Sequence, residues 1–460
     1  MTGQKALTHR TSPGEKISYG LYFFGQNLIY TLVSQFLPLF YTDYILLTPM
    51  IASLIFLVSK IWDAVNDPIF GILIDKAPFG KRGKFLPWIR ITTIALPVVT
   101  FLLFTASPDQ HMTTRIIWTL VTYLLWDLLY TVCDAPLFAL STAMTDVAKE
   151  RSLLVTLGRF TATLGVGVIN LVFSAVIEQY GFIMPVLLTM LVCFFFMLPL
   201  CWKGKERFSS SADTQSKEKH GLKEIFIYLG KNKYLLFFYL AYILINSLIL
   251  ASTNYVAKYC LGDLKYVGVL TIVQAIPALL PYVFMPYLLK RWDKITLFRI
   301  SVIMSTVLYV ASFFAGYKNI TVFMTFVFLR SFATSIPFIL GFTFSGDCVE
   351  YGEFRSGIRK EGITFSVQTF TAKLSSAFAG TLTLMILSWT RYDGGLSVQS
   401  PFTIEWIWNA HNLVPALGCL LSLPLLYAYK LKDRDVQIMT DCNAGKITRE
   451  EAEACMSRKY

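Results

Sequence analysis

Residues 203–222 read KGKERFSSSADTQSKEKHGL and form the one long polar stretch between the apolar segments of this 460-residue chain. The Ser, Lys and Glu content of this stretch is typical of a flexible linker. Long apolar runs lie on both sides of it, about six before and about six after. The sequence therefore predicts two helical halves that are joined by a polar loop.

The apolar runs have the length of membrane-spanning helices, which need about 20 residues to cross the hydrocarbon core. Hydrophobic residues make up 55% of the chain and charged residues 15%, and the mean hydropathy is +0.55. Soluble domains carry about 25% charged residues. We predict an all-α polytopic membrane protein with about twelve transmembrane helices, near residues 17–46, 51–75, 86–106, 113–145, 153–177, 182–202, 225–256, 266–289, 296–316, 319–348, 361–389 and 406–430.

Lysine and arginine are concentrated in alternate loops, which predicts a plasma-membrane protein with both termini in the cytoplasm. The same asymmetry and the anionic inner leaflet account for the net charge of +12, so the bilayer is an expected partner and nucleic acid is not. The predicted segments are a cytoplasmic arm (1–16), a first six-helix bundle (17–202), a cytoplasmic loop (203–222), a second six-helix bundle (223–431) and a cytoplasmic tail (432–460).

The second predicted span contains KIWDAVNDPIFG, residues 60–71, which carries polar groups at membrane depth. A charged side chain at the bilayer centre costs at least about 2.5 kcal/mol. Asp63 and Asp67 are one helical turn apart, and Asn66 shares the face of Asp63. Pro68 frees the backbone carbonyl of the preceding turn. These oxygens predict a site for a monovalent cation or a proton, and the alternative is an interhelical salt bridge.

The fourth predicted span contains WDLLYTVCDAPLF, in which Asp127, Thr131 and Asp134 are spaced i, i+4 and i+7. This spacing places the three side chains on one helical stripe, with Tyr130 and Phe138 close to it. Carboxylates that accept hydrogen bonds from hydroxyl groups, beside an aromatic ring, predict a sugar site. The alternative for the aromatic residues is ordinary packing.

Complementary positive charge occurs in two other spans, at Arg159 and Lys373. Arg159 lies about two turns into its helix and has the length to reach the cytoplasmic interface. Lys373 lies near the middle of its span and needs an anionic partner, for which the carboxylates of the second and fourth spans are candidates. Of the histidines, His411 is expected to be peripheral.

No sequence pattern indicates an enzyme. The chain has no GxxxxGK[ST] run, no HExxH motif and no CxxC pair, so neither nucleotide hydrolysis nor a metal cofactor is expected. A transporter without these motifs takes its energy from an ion gradient. We predict no cofactor other than a coupling cation.

Seven motifs resemble those of the glycoside-pentoside-hexuronide:cation symporters, a family of the major facilitator superfamily. In chain order they are KISYGLYFFGQN, FYTD, IWDAVNDPIFG, RGKFLPW, YTVCDAP, DCVEYGEF and SVQTFTAK, between residues 16 and 373. The resemblance implies the major facilitator fold, with two six-helix halves and a substrate site near the membrane midplane.

The resemblance also implies roles for individual residues. The cation site would consist of Asp63, Asn66, Asp67 and Thr131, with Asp63 and Asp67 binding Na⁺ if the carrier is sodium-coupled; such sites also use protons. Asp134 and Arg159 would bind the sugar, with other residues nearby, namely Tyr130, Gln368, Thr369 and Lys373.

The chain departs from the family pattern at the sugar site. Gln26 and Asn27 replace a Lys-Asp pair, and Phe138 and Phe338 stand where tryptophans are expected. One sugar-binding carboxylate is therefore an amide. We predict that Asp127, where the pattern has a small residue, supplies the missing acid.

Two further segments carry specific predictions. GILIDKAPFGKRGKF resembles the loop between the second and third helices of major facilitators, in which Asp75 and Arg82 would form a cytoplasmic gate. In the tail, Thr448 and Glu451 have the spacing of a capping box and predict a short helix.

The predicted function is cation-coupled symport of a sugar, glycoside or hexuronide by alternating access. A major-facilitator carrier for a lipid or other amphipathic solute is the alternative, and its cavity would be apolar. A receptor or scaffold does not need charges at midplane depth in both halves. A membrane enzyme would need a nucleophile, metal set or cofactor motif that the sequence lacks.

Overall fold

The computed structural model describes residues 11–76, 83–145, 147–207, 232–357, 361–443 and 445–458, and a few helical side chains within these ranges fall outside the description. The central polar stretch lies mostly outside them. In the described part the chain is α-helical, and it contains no β-strand.

In the described ranges, twelve helical segments, α1 to α12, overlap the predicted spans, and two short helices follow. Their bounds are α1 Pro13–Thr31, α2 Pro49–Lys76, α3 Leu86–Leu103, α4 Met112–Met144, α5 Ala148–Tyr180, α6 Ile183–Lys203, α7 Lys233–Ser247, α8 Tyr266–Arg291, α9 Lys294–Ala315, α10 Ile320–Ser356, α11 Glu361–Trp389, α12 Pro401–Ala428, α13 Asp433–Asn443 and α14 Arg449–Cys455. Helix α1 continues through two π-helical turns, Leu32–Phe36 and Phe40–Tyr44.

Within the described residues, nine helices are long and apolar enough to cross a membrane. They are α3 to α6 and α8 to α12. Helix α7 is apolar but shorter, and the chain after it continues through a π-helical turn at Val256–Cys260. The prediction of an all-α polytopic membrane protein is therefore confirmed.

The chain divides into two compact units. The N-terminal unit comprises Met1–Lys217 together with Gly262–Thr271 and Leu387–Ser400, and the C-terminal unit comprises Glu218–Leu261, Ile272–Ile386 and Pro401–Tyr460. In the N-terminal unit, the backbone N–H of Leu264 donates to Glu178 (3.0 Å) and the Tyr392 hydroxyl donates to Asp43.

Helix α1 packs against α5 and α6 in the N-terminal unit, and glycines allow the close approach. A Cβ atom on Gly165 would lie 2.9 Å from the carbonyl oxygen of Phe24, and one on Gly25 would lie 3.0 Å from that of Cys193. Small residues at helix contacts are a common device of membrane proteins, where packing rather than hydrophobic burial drives association. These contacts fix the position of α1, which carries Gln26 and Asn27.

The start of α3 is capped by a side chain from the segment after α6. Glu206 accepts hydrogen bonds of 2.7–2.8 Å from three consecutive backbone N–H groups, those of Lys84, Phe85 and Leu86. A carboxylate satisfies these otherwise unpaired donors and is favoured by the helix dipole. The adjacent Arg207 forms an ion pair of 2.8 Å with Glu15 of α1.

The core of the C-terminal unit is rich in aromatic rings. Phe344 of α10 contacts Phe238 of α7 and Tyr429, with ring centroids 4.7 and 5.3 Å apart. Such pairs add about 0.5–1.5 kcal/mol each beyond burial. Helix α12, in turn, packs against α7 and α9.

The tail folds into α13 and α14. Thr448 and Glu451 form the predicted capping box at the start of α14, with reciprocal side-chain to backbone hydrogen bonds. The hydrogen bonds from the Thr448 backbone and side chain lower the pKa of Glu451. Asn443, at the end of α13, donates to the backbone oxygen of Glu350 in α10 (3.1 Å).

Candidate functional site

The acidic stretch of α2 faces α4 in the N-terminal unit. Asp63 is 8% exposed, and one of its carboxylate oxygens lies 3.9 Å from the ammonium nitrogen of Lys60, one turn earlier. Asp127 of α4 interacts electrostatically with both groups. Two buried carboxylates and one partly exposed ammonium group therefore lie together, and we call them the acidic cluster (Lys60, Asp63, Asp127).

Two neutral oxygen-bearing side chains lie next to the acidic cluster on the same helices. Asn66 is 1% exposed, and its amide donates to the Thr131 hydroxyl at 3.5 Å. The structure thus brings together three of the four predicted cation-site residues. Asp67 lies on α2, but its side chain is outside the described set.

Asp127 was predicted to bind sugar, but its charged neighbours belong to the predicted cation site and its surroundings. The residue is 5% exposed, and its Oδ2 is buried without a hydrogen-bond partner in the described part of the chain. A carboxylate oxygen buried in this way costs free energy unless a proton or cation compensates it. Asp127 belongs to the acidic cluster because it interacts with Asp63 and Lys60. Its role as the missing sugar acid stays a prediction.

The second acid of α4 is bound by helix α1. The Gln26 amide donates to Asp134 Oδ1 at 2.9 Å, and Gln26 is fully buried, with no partner for its own oxygen among the described residues. Asn27 instead donates to the backbone oxygen of Phe23, at 2.9 Å. Of the two amides that replace the Lys-Asp pair, Gln26 contacts the acid.

Aromatic and basic groups lie beside Asp134. The guanidinium of Arg159 lies over the Phe138 ring, 4.9 Å from its centroid, and interacts electrostatically with Asp134. Arg159 is exposed in this unit. A planar cation, a carboxylate and an aromatic face in one place can bind the hydroxyl groups and apolar face of a sugar ring.

Tyr130 belongs to an aromatic row along α4. Its ring stacks on Trp126 (5.2 Å) and contacts Tyr30 of α1 (5.2 Å). Trp126 donates to Thr100 at 3.1 Å. Trp126 and Tyr130 thus lie on the same helix as Asp127 and Asp134, each next to one or near both of these acids in sequence.

The C-terminal unit contains the remaining predicted sugar residues. Gln368 accepts a hydrogen bond from Ser345 (2.5 Å), which is also 2.5 Å from the hydroxyl of Tyr239. Phe338 is 58% exposed and Lys373 is also exposed in this unit. The side chain of Thr369 lies outside the described set.

The predicted gate of Asp75 and Arg82 lies outside the described side chains. Asp75 lies on α2, but its side chain is outside the described set, as is the whole of Arg82. The C-terminal unit contains a related ionic network that the sequence analysis missed, in which Lys294 is 2.5 Å from Asp347 and 3.5 Å from Asp433. Asp347 opens the DCVEYGEF motif.

Sequence reasoning also missed two basic residues inside helices. Lys60 stands three residues before Asp63, a spacing at which side chains on a helix are neighbours, and this signal was available. Arg330 interrupts the apolar run of α10 and is 5% exposed. His411 was expected to be peripheral; this is wrong, because it is 7% exposed and lies 2.6 Å from Arg330.

The sequence profile of the MFS/sugar transport protein family matches residues 18–433. Curated relatives match over nearly their whole length. The uncharacterized symporter YjmB of Bacillus subtilis is 30% identical, with 94% of this chain and 95% of the relative covered. The isoprimeverose transporter of Lactiplantibacillus pentosus is 28% identical (93% and 90% covered), as is the putative glycoside/cation symporter YagG of Escherichia coli (93% and 94%).

Solved structures agree on the fold. The nucleoside transporter NupG superposes with a TM-score of 0.65 at 13% identity, covering 90% of this chain and 98% of that one. These relatives and neighbours are transporters, which confirms the prediction that the chain is not an enzyme. This multi-pass membrane protein, with the major facilitator fold, belongs to the MFS/sugar transport protein family.

Proposed function

We propose that the chain is a secondary active transporter that couples a monovalent cation to the symport of a sugar or glycoside by alternating access. The acidic cluster next to the Gln26–Asp134 pair in the N-terminal unit carries this proposal. Each feature includes one acid of α4, where Asp127, Thr131 and Asp134 follow one stripe. We expect the protein in the plasma membrane, with cytoplasmic termini.

The acidic cluster suits a cation because it brings carboxylate oxygens together. Asp63 and Asp127 interact with each other and with Lys60, the Oδ2 atom of Asp127 has no hydrogen-bond partner among the described residues, and Asp67 lies one turn further along α2. Hard cations prefer carboxylate and amide oxygens, and Asn66 and Thr131 supply neutral oxygens. The coupling ion is sodium or a proton, bound by Asp63 and Asp67 with Asn66 and Thr131.

The sugar is recognised by groups that bind hydroxyl groups. Asp134 accepts hydrogen bonds, Gln26 fixes its orientation, and Arg159 lies over Phe138. Names of relatives, such as isoprimeverose transporter and glycoside/cation symporter, support a glycoside as substrate. Gln368, Phe338, Thr369 and Lys373 are proposed to contribute from the C-terminal unit.

Coupling follows from the shared helix. In the cation-free state, Lys60 partly compensates Asp63 and Asp127. An entering cation replaces this compensation beside α4, the helix that also carries Asp134. If the cation tightens sugar binding by some factor, the sugar tightens cation binding by the same factor, because linkage is reciprocal.

The alternative function is the carriage of a lipid or other amphipathic solute. Such a carrier would use the same cation site, but it would not need a partly buried carboxylate positioned by an amide. The Gln26–Asp134 hydrogen bond therefore favours a hydroxylated solute.

The proposal is tested by uptake into proteoliposomes. A panel of labelled glycosides, pentosides and hexuronides is offered with and without an inward sodium or proton gradient. We expect gradient-dependent accumulation of one sugar class, which Asp63→Asn abolishes and the exposed-loop control Asp109→Asn does not. No accumulation of any sugar, by folded protein, would favour the amphipathic-solute carrier.

A further inference from the structure

Arg330 is a buried charge in the middle of an apolar helix of the C-terminal unit. It is ten residues, or roughly 15 Å, beyond the start of α10 at Ile320, and it is only 5% exposed. A guanidinium at such depth is costly and marks a functional site by default. The proposed symport assigns it no role.

The partners of Arg330 are neutral. Its Nη2 lies 2.6 Å from His411 Nε2, and its Nη1 donates to Asn412 Oδ1 at 3.2 Å. A guanidinium only donates, so His411 Nε2 accepts and the ring proton is on Nδ1, which lies 3.0 Å from the Ser252 hydroxyl. His411 is therefore neutral here, and the ring of Tyr309 lies 5.1 Å from the guanidinium.

The described residues supply no carboxylate within ion-pair distance of Arg330. Burial of a charge is normally compensated by an opposite charge, and hydrogen bonds to neutral groups repay only part of the desolvation. The arginine bridges α10 and α12, which explains its bonds to His411 and Asn412. These bonds connect the two helices, but they do not neutralise the positive charge of Arg330.

Arg330 also lines a cavity of about 160 Å³ within the C-terminal unit. A single water molecule needs a cavity of only about 10–15 Å³, so this cavity has room for a small organic molecule. The other lining residues are polar and apolar side chains of α8, α9, α10 and α12 and of the segment that follows α7, namely Ile249, Leu250, Thr253, Gln274, Tyr309, Ser331, Thr334, His411 and Pro415.

We propose that this cavity binds a small organic oxyanion, a solute with a carboxylate or sulfonate group, through Arg330. The planar guanidinium matches such groups in a two-point hydrogen bond, and the low surrounding polarity strengthens the pair. The hydroxyl groups of Ser331 and Thr334, now bonded to carbonyls of their own helix at 2.7 and 3.0 Å, line the same cavity. The anion supplies the charge that the described residues lack.

This site is separate from the acidic cluster and does not depend on cation-coupled sugar transport. The oxyanion is either a transported solute or a regulator that stays bound while another solute crosses. Both share the same chemistry at Arg330, and transport measurements distinguish them.

Binding is measured first, on the purified full-length chain in nanodiscs, as the ligand-dependent rise of the thermal unfolding midpoint. The probes are potassium glucuronate, the neutral match glucose, and potassium sulfate. We expect a saturable rise with glucuronate and none with glucose. Arg330→Gln should weaken glucuronate binding by about tenfold or more, the value of a hydrogen bond to a charged group, whereas Arg330→Lys retains part of it.

Arg299→Gln is the matched control, because Arg299 lies in the same unit and donates to the backbone oxygens of Leu426 and Tyr429. We expect it to leave the glucuronate effect unchanged. If Arg330→Gln does not fold, Thr334→Leu fills the cavity while it keeps the arginine, and should also abolish the effect. The proposal is overturned if glucuronate has no effect on the wild type, or if its effect survives in Arg330→Gln or Thr334→Leu.

Transport measurements in proteoliposomes then show whether the oxyanion is a transported solute or a bound regulator. Uptake of labelled glucuronate that is lost in Arg330→Gln identifies a transported oxyanion. A change in neutral-sugar uptake upon glucuronate addition, without glucuronate entry, identifies a regulator. Either result supports the site, and because binding is measured without a gradient, failure of coupled symport does not affect it.

Discussion

The polar clusters of the two units present charges of opposite sign. In the N-terminal unit, Asp63 and Asp127 both interact with the ammonium group of Lys60. In the C-terminal unit, Arg330 is bonded to the neutral side chains of His411 and Asn412. The first cluster gathers carboxylates, and the second holds a buried guanidinium with no carboxylate within ion-pair distance among the described residues.

This difference connects the two proposals of a cation site and an anion site. Charges inside membrane helices are expensive and mark functional sites by default. We propose that a cation binds at the acidic cluster and an anion at Arg330. The following substitutions test the comparison, most of them by removing one charged side chain of the N-terminal unit.

The largest effect is expected for Asp63→Asn. This substitution removes one of the two carboxylates that are proposed to bind the coupling cation directly, the other being that of Asp67. We expect gradient-driven sugar accumulation to fall by about a hundredfold or more, while sugar exchange without a gradient continues. Accumulation at the wild-type level would contradict the cation role.

Asp127→Asn should lower cation affinity by about tenfold, because one of the two described carboxylates is lost. Sugar affinity at saturating cation should not change. The matched variant Asp134→Asn should do the reverse, since Asp134 pairs with Gln26. Loss of sugar affinity with unchanged cation affinity in Asp127→Asn would identify Asp127 as the missing sugar acid.

Lys60→Gln should raise the apparent cation affinity, because the ammonium group competes with the cation for the same carboxylates. We expect an increase of roughly three- to tenfold, the range of a partly solvated charge pair. The measurement is the cation concentration that gives half-maximal sugar uptake. A lower apparent affinity would mean that Lys60 positions Asp63 rather than competing for it.

The smallest effect concerns the packing that positions the N-terminal cluster. Gly165→Ala places a methyl group 2.9 Å from the carbonyl oxygen of Phe24, whereas Gly167 has no atom within 4 Å of such a group. We expect Gly165→Ala to destabilise by about 1–3 kcal/mol and Gly167→Ala to be neutral or slightly stabilising. Thermal unfolding in detergent compares the two, and equal midpoints would contradict the α1–α5 contact.

Much of the fold was predictable because hydropathy is a strong signal in membrane helices. All twelve helical segments fall at predicted spans, and the Thr448–Glu451 capping box forms as its spacing indicates. The π-helical turns after α1 were not predicted, since they depend on packing rather than on composition.

The local part of the candidate site was predictable for a similar reason. Helical spacing brings Asp63 and Asn66 to one face and aligns Asp127, Thr131 and Asp134 on another. Which acid meets which partner depends on how helices pack, so the sequence did not show that Gln26 rather than Asn27 contacts Asp134. It also gave no sign that His411 and Arg330 meet, because 81 residues separate them.

The most direct test of the central claim is the cation dependence of sugar accumulation in proteoliposomes that contain the wild-type chain. The internal and external sodium and proton concentrations are varied independently, and the steady-state sugar ratio is measured. The account predicts that the ratio rises with the gradient of one of these cations and collapses in Asp63→Asn. A sugar ratio of one under every gradient, with sugar still equilibrating across the membrane, would contradict it.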